Sequence, residues 1–264
     1  DEMIEDTPWV WKEGYAFYQY YTRNYLGVCP EDNYMGNSGL RAGNPMYAEG
    51  SFYSKGQTVD QDVMLKDGTV IKEGGTMPKD SYNYYPTTRV NSSSMILDGK
   101  TAIPKGFGGF NVNLSWKDLT FSMAWSYKYG HYIWDEGTEQ LANDGYYSFH
   151  RNILKSQTDT WSESNPDGTV PRRVAGNTEG GYYYSSKFLK KGDFLRLKNL
   201  TLSYSIPKNF INKMGLTNAR VYLAGANLLT FSGLDIDPEI RSSGYYNYSM
   251  PALRTVTLGV EVSF

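Results

Sequence analysis

The sequence's one candidate for metal chemistry is a group of acidic residues near its C-terminus, in which Asp235, Asp237 and Glu239 occupy alternate positions. Carboxylate oxygens are the ligands that Ca²⁺ prefers, and backbone carbonyls of a loop can complete its coordination. A calcium ion in this loop is therefore the only cofactor that the residues suggest, and otherwise we expect none.

The residue types needed for catalysis are sparse. The sequence has no glycine-rich phosphate loop that leads into a helix and no serine nucleophile elbow. His131 and His150, the two histidines, lack the spacing that places two metal ligands on one helix face. Cys29 is the single cysteine, which excludes an intrachain disulfide and a zinc site of the cysteine-pair type. We predict that the chain is not an enzyme.

Aromatic side chains are the better candidates for ligand contact, and the chain carries 24 Tyr, 11 Phe and 6 Trp. Flat aromatic faces can stack on sugar rings or grip peptide side chains, while Tyr hydroxyls bond to polar groups. Packing within a loop and anchoring at a membrane interface are the alternative roles. The candidates for substrate or partner contact, which fall in two long polar segments, are Trp134, Tyr146, Tyr147, Trp161, Tyr245 and Tyr246.

The last eleven residues, RTVTLGVEVSF, alternate between apolar and polar side chains. Val260, Val262 and Phe264 belong to the apolar set, so they share one face of a strand. A strand of about ten residues that ends on an aromatic residue with its carboxylate is typical of the closing strand of an outer-membrane β-barrel. These three residues are our candidates for a C-terminal barrel-assembly signal.

Similar patterns occur along the chain and predict an all-β fold, a transmembrane antiparallel β-barrel. No run of about 18 apolar residues exists, which excludes a transmembrane helix. Alternation fails at 225–227, where we predict a β-bulge or a close approach of the backbone. Arg196 and Lys198 have the parity of outward-facing leucines, so we expect a bulge, an extension above the membrane, or contact with lipopolysaccharide phosphates. The predicted strands lie near 2–12, 15–25, 108–117, 120–130, 194–206, 219–231 and 252–264.

The lengths of the connections predict the orientation. Barrels of this type have short periplasmic turns and long extracellular loops, and the long segments here are 26–107, 131–193 and 232–251. The C-terminus is then periplasmic and the first strand begins at the cell surface. Seven strands leave two unpaired edges, which lipid cannot satisfy. We therefore expect the last part of a larger barrel; the alternative is an eighth, unrecognised strand that closes a small barrel.

Particular motifs resemble a known family. FLRLKNLTLSYSIPKNFINKMGLTNARVYLAGANLLTF, with the following Asp237-Pro238-Glu239 and the closing RTVTLGVEVSF, resembles the C-terminus of the SusC/RagA family of TonB-dependent outer-membrane transporters of Bacteroidetes. Upstream, IPKGFGGFNVNLSWKDLTFSMAWSYKYG is similar to its glycine-aromatic hairpin and WSESNPDGTVPR to a loop motif. The resemblance covers most of 9–264, with 33–101 least similar.

The resemblance implies a barrel of about 22 strands with an N-terminal plug, here represented by its last seven strands. It implies a SusD-like surface lipoprotein as partner and a TonB complex that acts only through the missing N-terminal plug and barrel segment. It also makes Asp237-Pro238-Glu239 a structural turn, the role we favour over calcium binding.

The predicted function is import of a nutrient, whether oligosaccharide, glycan or peptide, across the bacterial outer membrane, whose lipid the barrel contacts. A small structural or adhesive outer-membrane barrel and a soluble, secreted glycan-binding β-domain are the alternatives. A net charge of −2 argues against a nucleic-acid partner, which would call for a concentrated basic surface.

Overall fold

The computed structural model describes residues 3–6, 8–88, 90–142, 144–146, 152–176, 180–181, 184–239 and 243–264. The fold is all-β, as predicted, with two α-helices of six and four residues in this part of the chain. None of the helices in these ranges is long and apolar enough to cross a membrane.

The strands and helices have the following bounds, in chain order. The strands are β1 (Ile4–Asp6), β2 (Trp9–Trp11), β3 (Gln19–Arg23), β4 (Tyr25–Val28), β5 (Pro45–Ala48), β6 (Phe52–Tyr53), β7 (Val63–Met64), β8 (Val70–Ile71), β9 (Ser81–Tyr82), β10 (Pro86–Thr87), β11 (Ser94–Thr101), β12 (Gly106–Trp116), β13 (Leu119–Tyr129), β14 (Tyr132–Asp135), β15 (Leu189–Lys191), β16 (Phe194–Ser205), β17 (Asn218–Ser232), β18 (Tyr245–Tyr246) and β19 (Thr255–Ser263). The α-helices are α1 (Glu136–Leu141) and α2 (Lys208–Ile211), and 3-10 turns lie at Tyr34–Gly36, Val90–Ser92, Lys155–Thr158, Ser186–Phe188 and Asn212–Met214.

The chain divides into two compact units. One, here called the loop unit, comprises Asp1–Ala102, Trp134–Leu189 and Tyr245–Tyr248. The other, the sheet unit, comprises Ile103–Ile133, Lys190–Gly244 and Ser249–Phe264.

The sheet unit is built on one antiparallel sheet of five long strands, in the order β12-β13-β16-β17-β19. Its strands have between 9 and 15 residues and lie where the last five strands were predicted. The register aligns apolar residues across the whole sheet, as in the row Leu114, Phe121, Leu202, Leu223 and Leu258. The adjacent row on the opposite face is small or polar: Asn113, Ser122, Thr201, Ala224 and Thr257. Period-2 alternation in each strand thus becomes two chemically distinct faces of the sheet.

The predicted bulge is confirmed. The pairing of β16 with β17 shifts register between Leu197 and Asn199, and Asn227 of β17 has φ 53°. Asparagine is one of the few residues other than glycine that tolerate this left-handed conformation. The pairing of β13 with β16 also shifts here, so that Lys198 is an extra residue.

The bulge changes the face on which Arg196 lies. Sequence parity placed it with Leu200 and Leu202, but above the bulge it pairs with Ser126 and Thr230. Because one extra residue reverses strand parity, Arg196 belongs to the polar face of the sheet.

The N-terminal strands differ from the prediction. The segment 2–12 is not one strand: β1 and β2 pair with each other as a short hairpin, next to β3 and β11 in a four-stranded sheet. Pro8, at the reversal between them, has no N–H for a continuous ladder. The segment 15–25 contributes only the short β3 and the first residue of β4, and β11 lies inside the predicted loop 26–107.

The predicted loop 26–107 is folded and has its own core. One apolar cluster of this segment, within 53–77, consists of the buried residues Tyr53, Val59, Val63, Leu65 and Met77 with Ile71 packed against them. Four short strands, β6 with β9 and β7 with β8, frame this cluster. We call residues 49–85 the insert.

Candidate functional site

The apolar face of the sheet is exposed along its whole last strand. Val256 is 69 % exposed, Leu258 74 % and Val260 67 %, and Val262 and Phe264 are exposed as well. An aligned apolar surface of this extent is unfavourable in water and is suited to hydrocarbon. Val260 and Val262 therefore lie on the face that the sequence assigned to them, and Phe264, which follows the last residue of β19, is exposed.

Both margins of this sheet are open within the described residues. β12 pairs only with β13, and β19 pairs only with β17. Unpaired backbone N–H and C=O groups at a sheet edge require a partner in lipid. A membrane setting therefore demands neighbouring strands at both margins.

The polar face carries an ion-pair cluster that sequence analysis did not assemble. The Arg196 side chain is 4 % exposed; its Nη2 lies 2.6 Å from Asp237 Oδ1 and its Nη1 2.6 Å from Glu239 Oε2. Its Nε donates to Thr230 Oγ1 at 3.1 Å, and Lys198 Nζ donates to Glu239 Oε2. We call these five residues the Arg196 cluster; it ties the 232–251 segment to β16 and β17.

Asp237 accepts three hydrogen bonds that hold the turn after β17. Besides Arg196, it accepts backbone N–H bonds from Glu239 at 2.9 Å and from Ala252 at 2.7 Å. Burial raises the pKa of its carboxyl, but the hydrogen bonds from Arg196 and from the two backbone groups outweigh burial and lower that pKa overall. Asp237 is thus held ionised, as a bridge between both ends of the 232–251 segment.

The three calcium candidates do not converge on one point: two of them pair with side-chain cations and the third is exposed. The carboxylates of Asp237 and Glu239 bind side-chain cations, and Asp235 is exposed. The described ranges contain no group of three or more His, Cys, Asp and Glu side chains suited to a metal ion. The geometry corresponds to a salt-bridged turn.

Three aromatic candidates come together in the loop unit. A parallel pairing of β14 with β18 places Trp134 beside Tyr245 and Asp135 beside Tyr246. Trp134 is fully buried; its ring stacks on Tyr184 with centroids 5.7 Å apart. This corrects the expectation for Trp134: with no exposed surface, it packs the core and has nothing to offer a ligand.

Tyr245 and the neighbouring helix α1 form a partly buried acidic site. The ring of Tyr245 lies 5.9 Å from that of Trp9, and burial raises the pKa of its hydroxyl, with Glu136 adding to the effect. Burial likewise raises the pKa of Glu139, and with the charge of Glu136 added the value is about 7. Glu139 therefore changes its charge near neutral pH.

The other candidates lie apart from this pair of strands. Trp161 is half-buried and covers Gly43, whose φ is +81° and whose missing Cβ would lie 2.4 Å from the indole ring. Asp159 shapes the same loop by accepting bonds from the backbone and hydroxyl of Thr169. Tyr146 is 41 % exposed. Tyr147 and His150 lie outside the described residues.

A polar cleft in the loop unit is a second feature that sequence analysis missed. Its volume is about 340 Å³, and it is lined by Asn37, Ser38, Gly39, Glu49, Gln61, Tyr85, Pro86, Thr87 and Thr88. No sequence motif signals it, because its walls come from separate segments. The sequence does contain a signal for the Arg196 cluster: an arginine within a strand pattern, followed beyond the next strand by the acidic turn of Asp237 and Glu239.

The sequence resembles curated proteins named TonB-dependent receptors, from Formosa agariphila. Receptor P26 is 31 % identical over 174 residues, which is 61 % of this chain and 17 % of the relative. Receptor P3 is 28 % identical over 59 % of the chain and 16 % of its own length, and receptor P39 is 22 % identical over the whole chain and 26 % of its own length. The chain therefore spans about a quarter or less of these relatives. No family model matches it.

The fold resembles solved transporter structures. A structure of the RagAB peptide transporter superposes with a TM-score of 0.72 at 23 % identity, over 99 % of this chain and 24 % of that one. The RagAB peptide importer in its closed-closed state gives a TM-score of 0.70 at 22 % identity, over 100 % of this chain and 25 % of that one. At these low sequence identities, the superpositions establish similarity of fold only. Both findings agree with the motif resemblance and support a segment of a SusC/RagA-type TonB-dependent transporter.

Proposed function

We propose that this chain supplies part of the wall and the extracellular loops of an outer-membrane transporter that imports a nutrient. A sheet with one apolar and one polar face and two open margins is the observation that carries the proposal. Strands of 9 to 15 residues reach or exceed the length of about 9–11 residues that a tilted strand needs to span a bilayer. The relatives carry the names of receptors and transporters rather than enzymes.

The partners follow from the family resemblance. A SusD-like surface lipoprotein would meet the extracellular loops, and the TonB complex would act through a plug in a preceding segment. The C-terminus would then be periplasmic. The resemblance allows oligosaccharides, glycans and peptides as cargo; RagAB is named a peptide transporter and a peptide importer.

Charge substitution on opposite faces of β19 tests the membrane wall. Leu258→Arg puts a cation on the apolar face, whereas Thr257→Arg puts it one residue away on the polar face. An arginine facing lipid near the midplane costs about 2–4 kcal/mol, while the polar face of a barrel tolerates it. Folded protein should be lost for Leu258→Arg alone, measured as the heat-modifiable fraction extracted from outer membranes. Equal losses for both variants would contradict the assignment of the faces.

The composition of the purified complex tests the transporter itself. The protein, extracted in detergent, should carry the remaining barrel strands, the plug and a lipoprotein in a mass-resolved inventory. Uptake of the cargo by cells should stop when TonB is deleted. A lone monodisperse species of 29.9 kDa would contradict the proposal and favour a small autonomous barrel.

A further inference from the structure

The polar cleft of the loop unit has the structure of a ligand site. Its volume of about 340 Å³ is within the roughly 300–1,000 Å³ typical of ligand pockets. Asn37 closes one side: it donates to the carbonyl of Pro86 at 3.1 Å and accepts the N–H of Gly39 at 2.9 Å. The walls are thus linked by hydrogen bonds rather than left as separate loops.

Glu49 is held in place within this cleft. Its Oε1 accepts hydrogen bonds from Ser51 Oγ at 3.2 Å and Gln61 Nε2 at 3.3 Å, and its Oε2 accepts one from Asn83 Nδ2 at 3.4 Å. Asn83 is fully buried and is itself fixed, since its Oδ1 accepts the N–H groups of Met64 and Tyr85. The carboxylate is therefore oriented before a ligand arrives, which reduces the entropic cost of binding.

The charge of Glu49 is not neutralised by the residues that surround it. The lining residues include no lysine, arginine or histidine, and no ion pair joins Glu49 to a cation in the described part of the chain. A carboxylate without a counter-ion repels anionic ligands such as uronates, phosphates and acidic peptides.

The remaining lining groups distinguish between the other ligand classes. Ser38 and Thr88 offer hydroxyl groups, which can both donate and accept. Gln61 offers its amide oxygen as an acceptor, since its amide nitrogen already donates to Glu49 and to the hydroxyl of Tyr53. Sugar hydroxyls have the same dual capacity as Ser38 and Thr88, whereas an ammonium group only donates and would leave these two hydroxyl donors without an acceptor on the ligand. Tyr85 and Pro86 supply apolar surface for the C–H face of a ring.

We propose that this cleft binds an uncharged saccharide unit, with Glu49 accepting hydrogen bonds from neighbouring sugar hydroxyls. The proposal rests on the import function proposed above and names a cargo class for it. It assigns the insert a receiving role at the cell surface, through Glu49 and Gln61 on one wall and Ser38 and Thr88 on the other.

The test measures saccharide binding to the complete transporter in detergent, so its result does not depend on transport activity. Neutral oligosaccharides of glucose, galactose, mannose and xylose are titrated by calorimetry, next to uronate oligosaccharides and lysine-rich peptides. At least one neutral series should bind, and Glu49→Gln should weaken it by about tenfold or more, because a hydrogen bond to a charged group is lost. Asp67→Asn is the matched control, since it neutralises a carboxylate of the insert that faces Lys79 outside the cleft.

A second variant guards against misfolding of the insert. Ser38 is exposed and none of the hydrogen bonds that hold Glu49 involves it, so Ser38→Trp should fill the cleft, leave the fold intact and abolish saccharide binding. Binding that survives both variants, a preference for lysine peptides or uronates, or no saccharide binding at all would overturn the proposal. If cells import cargo while the cleft binds no sugar, only this inference fails. If the cleft binds sugar and no uptake occurs, only the import function fails.

Discussion

Replacing Arg196 with methionine should release the 232–251 segment from the sheet. Methionine keeps much of the side-chain length but leaves Asp237 and Glu239 without the cation that lies 2.6 Å from each. The three side chains are 4 %, 10 % and 22 % exposed. Removing one member of a buried pair costs about 3–5 kcal/mol, because the remaining charge stays desolvated. The open population of the segment should therefore rise roughly a hundred- to several-thousand-fold.

A second arginine of the same sheet provides the control. Arg220 also lies 2.6 Å from a carboxylate, that of Glu261, but these side chains are 45 % and 54 % exposed. An exposed pair contributes about 0–1 kcal/mol, so Arg220→Met should change local opening by tenfold at most. Hydrogen–deuterium exchange with mass spectrometry, on the detergent-solubilised protein, reports the opening of both regions.

The pH dependence of the opening of the 232–251 segment tests the same cluster independently. The pKa of Asp237 is lower in the folded state, so its contribution is complete above the unfolded value of about 3.9 and is lost as the pH falls through the folded value. Opening of the segment, corrected for intrinsic exchange, should thus be equal at pH 7 and pH 5. Adding Asp237→Asn and Glu239→Gln to the methionine variant should recover much of the loss. If Arg196→Met resembles Arg220→Met, burial does not set the strength of this cluster and the reasoning is refuted.

Three further substitutions have definite expectations. Burial, with the charge of Glu136 added, raises the pKa of Glu139 to about 7 from the ordinary 4.5, so the opening free energy of α1 should fall as the pH rises from 5 to 8. The fall should be smaller than the roughly 3 kcal/mol of an unscreened shift, because the carboxyl is only partly buried; Glu139→Gln should flatten this dependence in hydrogen exchange, and a flat wild-type profile would contradict it. Gly43→Ala should lower the thermal midpoint more than Gly56→Ala, since both glycines have φ near +81° but only Gly43 faces an indole ring, with an added cost of about 1–3 kcal/mol; equal midpoints would refute it. Phe264→Ala should reduce the assembled barrel in outer membranes, while Phe210→Ala, on the exposed helix α2, should not; equal yields would remove Phe264 as an assembly signal.

The sequence alone determined the chemistry of the long strands. Alternation in RTVTLGVEVSF and in the β12–β13 hairpin is a local, period-2 property, so it predicts which side chains share a face without knowledge of any neighbour. The bulge near Asn227 also follows from a local break in that alternation. The motifs predicted a resemblance to TonB-dependent transporters, which the comparisons confirm. The strand number of the whole barrel stays a prediction.

Local sequence patterns did not predict the structure of the N-terminal part of the chain. β11 contains the buried run Met95, Ile96 and Leu97, which does not alternate and therefore gave no strand signal. In the sequence, the hairpin of β1 and β2 resembles one strand, because strands of three residues are too short to display a period-2 alternation. The insert has a core only because residues from 53 to 77 meet in three dimensions.

Only the tertiary structure decided which polar and aromatic side chains work together. Trp134 and Trp161 are equivalent as sequence signals, yet one is fully buried and the other half-buried against a glycine. Arg196 meets Asp237 because a bulge turns it to the polar face, and Glu49 meets Ser38 and Thr88 in a cleft because the chain folds back. A strand's period depends on neighbours in the chain, whereas burial, ion pairing and cleft formation depend on residues brought close by register and chain reversal, which no local pattern encodes.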